Sequence, residues 1–134
     1  MEEVARQLIE MEEQAARAFN RGDLDTILTF FHPQEFSGFS STKYDRIHGL
    51  RELRKTFEFY LGEAEGVHYA ISKPEVQLYG GAAVVTFYWE VRLRGKKLRE
   101  TLHGRATHVY IEQEGRWRVV HEHFSKAVRG KGVE

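Results

Sequence analysis

The stretch AAVVTFYWEVRLR, residues 82–94, decides the fold. Val85, Phe87, Trp89, Val91 and Leu93 fall on one face, and Thr86, Tyr88, Glu90 and Arg92 on the other. A period of two over this length is the pattern of a β-strand with one buried face. Gly80–Gly81 before it and GKK (95–97) after it are turn signals. Working outward, LRETLHGRATHVYI (98–111) reads as the next strand and EQEG (112–115) as a turn. RWRVVHEHFSKAV (116–128) reads as the last strand. Upstream, VHYAIS (67–72) and EVQLY (75–79) are strands divided at Pro74, which has no N–H to give a ladder.

The first half of the chain has helical periodicity instead. Val4, Leu8, Met11, Ala15 and Ala18/Phe19 make one stripe over residues 2–20, and Glu12, Glu13 and Arg17 are assigned to its solvated face. Gly22 and Asp23 end that helix and start a second, carried by Leu24, Ile27, Leu28 and Phe31 and stopped by Pro33. EFSGFSST (35–42) reads as a short first strand. DRIHG then leads into a third helix over 50–61, with Leu50, Leu53, Phe57 and Tyr60/Leu61 as its stripe. The expected fold is α+β: three N-terminal helices on the concave face of a curved antiparallel or mixed sheet, enclosing a cone-shaped pocket. Residues 1–128 are expected to form one domain, and RGKGVE (129–134) a frayed tail.

Composition narrows the function. The chain has 134 residues, with 41% hydrophobic and 30% charged, the balance of one globular domain. Twenty basic and 20 acidic residues give zero formal net charge, so no global field draws the chain to nucleic acid or an anionic membrane. The absence of cysteine excludes disulfides, thiolate catalysis and Cys-ligated zinc, and points to the cytoplasm. No apolar run approaches the roughly 20 residues of a membrane helix.

Strand parity selects the candidate site residues. The face of Trp89 should meet the helices, and the matching sets are Val67, Tyr69 and Ile71, and Trp117, Val119, His121 and His123. In the strand between, Val109 and Ile111 share a face with Thr101, His103, Arg105 and Thr107. Four polar side chains on an inner wall require partners, water or a bound anion. His121 and His103 are therefore the candidate catalytic bases, since a half-buried imidazole titrates near neutrality. Arg105 and His123 are candidate polar ligand contacts, and Trp89, Tyr69, Phe57 and Tyr60 candidate apolar walls. His121 and His123 alone do not make a metal site, which needs a third and usually a fourth ligand, so no metal and no cofactor is assigned. His68, His108 and His32 go to the surface or to turns.

Three stretches carry a family resemblance: FNRGDLDTILTFFHP (19–33), YDRIHGLREL (44–53) and GRATHVYIEQEGRWRVVHEHFS (104–125). With them the chain resembles the nuclear transport factor 2-like superfamily, in its SnoaL-like branch. That resemblance implies the cone fold, a homodimer, and an inner pocket for a small, partly apolar, anion-compatible ligand. It is compatible with a cofactor-free isomerase, cyclase or dehydratase, and whether the chain is an enzyme stays open. The closing hairpin also resembles the association domain of calcium/calmodulin-dependent protein kinase type II. This second resemblance implies a non-catalytic assembly module and an alternative pocket face bearing Tyr88, His108 and Phe124, where that family has arginines. A β-bulge would exchange the two faces locally.

Overall fold

A computed structural model describes residues 2–96 and 99–126. The elements run α1 (Glu2–Asn20), α2 (Leu24–Leu28), β1 (Ser37–Phe39), β2 (Ile47–His48), α3 (Gly49–Leu61), β3 (Gly66–Tyr79), β4 (Ala82–Arg94), β5 (Arg99–Gln113) and β6 (Arg116–Ser125). The strands form one curved, unclosed sheet in the order β2-β1-β6-β5-β4-β3. All pairings are antiparallel except β1 with β6, which is parallel. The α+β fold is thus the expected one, with the sheet of the mixed kind. Residues 127 and 128 of the expected last strand and the expected tail lie outside the described residues.

Local chemistry sets the element ends. Asp23 caps α2, its carboxylate accepting from Thr26 N at 3.2 Å and from Thr26 Oγ1 at 2.7 Å. α2 is shorter than its apolar spacing predicts because the sheet captures the chain after it. Val119 N donates to Phe30 O, and His32 N donates to Val119 O, at 2.9 and 2.8 Å. Phe31 thereby leaves the helix and joins the core. Pro74 does not break β3 into two strands. Lys73 and Pro74 lie together opposite the gap between the Ser72–Tyr88 and Glu75–Thr86 pairs, and Lys73 takes φ +52°. This is a bulge on the sheet's edge, where a residue with no N–H forfeits no ladder bond.

The core lies between the helices and the concave face. Leu8, Ala18 and Phe19 of α1, Ile27 of α2 and Leu53 of α3 are buried against Val85, Phe87 and Trp89 of β4. Phe19 packs edge-on to Phe57 and Tyr69, with ring centroids 5.9 and 5.7 Å apart.

A buried Glu-His-Glu cluster at the closed end of an apolar cavity

The β4–β5 ladder fixes which side chains enter the cone. Directly opposite residues share a face, and the pairs are Trp89–Gly104, Phe87–Ala106, Val85–His108 and Ala83–Tyr110. The inner face of β5 is therefore Gly104, Ala106, His108 and Tyr110. This reverses the expectation for β5. The bulk of Trp89 and Phe87 requires small partners opposite, and Gly104 is the tightest such place. A Cβ there would fall 2.2 Å from both the Trp89 ring and Ser125 O. Arg105, His103 and Thr107 go to the outer face, where water satisfies them.

β6 changes face part-way along. Tyr110 pairs with Val119 and Val109 with His121, so Val120 is an extra residue in the ladder. Before this bulge Trp117 and Val119 point inward. After it Glu122 and Phe124 do, while His121 and His123 border the outer-face groove with Arg105 and Tyr88. The expected inner positions of His121 and His123 are corrected accordingly. His121 meets Ser37 Oγ at 3.2 Å, and burial, then His123, lowers its pKa from the ordinary value. His103 is exposed, 3.9 Å from Glu90. Of the alternative face, His108 and Phe124 line the cavity, while Tyr88 is 54% exposed on the opposite surface. Trp89, Tyr69, Phe57 and Tyr60 all line the cavity.

The cavity encloses about 250 Å³. Its walls are Phe19, Phe31, Phe57, Tyr69, Trp89 and Phe124. The exposed Thr42, Phe59, Glu63 and Lys126 mark the mouth. Glu12, His108 and Glu122, only 3–5% exposed, mark the closed end. There His108 Nδ1 meets Glu12 Oε2 at 2.5 Å and His108 Nε2 meets Glu122 Oε1 at 2.8 Å. Tyr110, 1% exposed, donates its hydroxyl to the same Glu12 oxygen at 2.7 Å.

An ionised carboxylate only accepts, so a ring bonded to one at each nitrogen donates from both and is an imidazolium. Burial alone would lower the pKa of His108. The charges and hydrogen bonds of Glu12 and Glu122 outweigh it and raise the value to about 10. Burial, then the charge of Glu12, pushes the Tyr69 and Tyr110 phenols well above theirs. Glu12 Oε1 and Glu122 Oε2 take no hydrogen bond among the described residues. No sealed polar side-chain atom there lacks a partner, so both oxygens keep accessible surface. The Tyr69 hydroxyl is free in the same sense.

Sequence reasoning placed Glu12 in solvent and did not single out Glu122. Glu12 lies four residues after Leu8 and four before Ala16, both buried, so its spacing carried the signal. Nothing local marks Glu122, because the Val120 bulge hides its face. His32, expected at the surface or in a turn, is buried. Its Nδ1 accepts from the backbone N–H of Gln34 and Glu35, and its Nε2 pairs with Gln113 at 2.8 Å.

Residues 9–129 match the SnoaL-like domain. The chain belongs to that family. No curated protein matches this SnoaL-like chain. Solved structures share its fold at low identity. A nuclear transport factor 2-like protein of unknown function from Pseudomonas putida KT2440 superposes with a TM-score of 0.84 at 17% identity, covering 100% of this chain and 94% of that one. A candidate dehydratase of the same family from Streptomyces avermitilis gives 0.81 at 16%, covering 92% and 97%. The CaMKII hub of S. rosetta gives 0.79 at 24%, covering 92% and 96%. At these identities the likeness is one of fold.

Proposed function

We propose that this SnoaL-like domain binds a small, largely apolar molecule in the cone, with its polar group against the Glu12–His108–Glu122 cluster. The observation that carries this reading is the cluster itself. Two carboxylates and an imidazolium stand at the blind end of an otherwise apolar cavity, with two carboxylate oxygens and one phenol left unengaged among the described residues. Buried charges are costly to retain, and an apolar chamber with a few convergent polar groups is the usual form of a ligand site. The anionic ligand suggested by Arg105 loses its support, because Arg105 faces outward.

The same arrangement supports cofactor-free proton transfer, as an isomerase, cyclase or dehydratase requires. Both N–H groups of His108 are engaged, so the base in the cavity would be a carboxylate rather than a histidine: Glu122 through Oε2, with His108 holding its partner oxygen. The fold shared with a candidate dehydratase is compatible with this.

The test is a thermal-shift screen of small neutral aromatic and alicyclic alcohols and ketones. A ligand present at 100 times its Kd adds about 2.7 kcal/mol of stability. Ala15→Phe, which fills the cavity from α1, should remove that gain, and Arg105→Ala should leave it intact. Hits that survive Ala15→Phe and vanish in Arg105→Ala would overturn the reading.

An assembly module like the kinase hub is the second reading. Tyr88, exposed on the outer sheet face with Lys73 Nζ 5.7 Å from its ring centre, favours a partner on that surface. The partner we propose is a second copy of this chain. The two readings use opposite faces of the sheet and are compatible.

A further inference from the structure

The charge of the cluster goes further than the apolar walls in naming a ligand class. Two carboxyl groups bracket one imidazole, so with both ionised and the ring protonated one negative charge remains at the closed end. The other charged lining residues among those described, Glu63 and Lys126, are exposed at the mouth and offset one another. No cation besides His108 reaches the closed end among the described lining residues. An uncompensated charge in an apolar enclosure draws a counter-charge or a proton. Glu12 Oε1 and Glu122 Oε2, free among the described residues, provide acceptors on both sides of the ring, and a ligand there finds no charged donor of those residues left unengaged. The surrounding aromatic rings of Phe19, Phe31, Tyr69 and Phe124 attract cations through their faces.

We infer that the cavity selects an organic monocation, a protonated primary amine carried on an apolar, ring-sized body. The ammonium donates to a free carboxylate oxygen of the cluster, and the ring occupies the aromatic chamber. The inference rests on the small-molecule reading above and narrows it. A carboxylate of the same shape is excluded by like charge. A hydroxyl of the same shape binds through the same walls and can donate to the same oxygens, but forms no ion pair with them.

Three probes of nearly equal shape separate these cases: 2-phenylethylamine, 2-phenylethanol and phenylacetate, titrated into the intact chain at pH 7 by calorimetry. The amine should bind about tenfold or more tightly than the alcohol, the gain coming from its opposite charge, and phenylacetate should bind weakest. Glu122→Gln should lower the amine's affinity more than the alcohol's. The wild-type ranking alone decides the matter should that variant not fold. Alcohol binding as tight as the amine's would mean that a proton already balances the cluster, and would overturn this inference while leaving the small-molecule reading standing. Tightest binding by phenylacetate would overturn it equally. Failure of all three probes to bind would count against both.

Discussion

His108 is the residue on which the site turns, and its surroundings make a sign-definite prediction. Its pKa is about 10 in the folded chain and near 6.5 when unfolded. Below pH 6.5 the ring is protonated in both states, and the stabilisation by Glu12 and Glu122 is fully present. Between pH 6.5 and 10 only the folded chain holds the proton, so stability falls as pH rises, and the contribution is lost above about pH 10. Urea titrations from pH 6 to 10 should show this decline in the parent chain and a much flatter course in His108→Gln. Parallel curves would mean that His108 carries no raised pKa. The residue types of the cavity wall were largely legible in the sequence: Trp89, Tyr69, Phe57 and Tyr60 follow from strand and helix periodicity. Of the charged end only His108 was, on the alternative face implied by the kinase resemblance. Glu12 reads as a surface charge unless its spacing from Leu8 and Ala16 is weighed above its polarity, and the bulge at Val120 hides the face of Glu122.

At the scale of elements, the order of the helices and long strands and the boundaries of α1, α3 and β4 follow from period and turn chemistry. What did not follow are the events decided by partners far along the chain. α2 ends early because Phe30 and His32 pair with Val119. β2 is a two-residue strand recognisable only by its pairing with β1. β1 approaches β6 closely enough that a Cβ on Gly38 would lie 2.8 Å from Glu122 O. Most consequential is the bulge at Val120, which exchanges His121 and His123 for Glu122 and Phe124 on the inner wall. One residue in a ladder inverts every side chain after it. Inserting one alanine between Val120 and His121 should therefore let the ladder run regularly, with Val120 opposite Val109 and the alanine opposite His108, and carry Glu122 away from His108. Such a chain should be destabilised by several kcal/mol, about the cost of leaving a buried charge without its partner. Denaturant titration measures it. A variant as stable as the parent would show that the bulge is not needed to seat Glu122.

For the whole molecule, the two faces of one sheet present different chemistry. The concave face with α1–α3 holds the cavity, and the outer face presents Tyr88, Arg105, His121 and His123. We expect the outer face to be covered by a second copy of the chain, so light scattering at micromolar concentration should give twice the chain mass of 15.7 kDa. A mass of one chain would contradict the dimer and leave the cavity reading untouched. Among the described residues no helix is long and apolar enough to cross a membrane.

The most direct test of the cavity as the functional site is a nitrogen-15 NMR spectrum of the histidine side chains, recorded at pH 7 with and without 2-phenylethanol. The account predicts that both ring nitrogens of His108 are protonated, and that its signals move on addition of the alcohol while those of His121 and His123 stay still. Movement at His121 and His123 with His108 unchanged would place the binding face on the other side of the sheet and contradict the account.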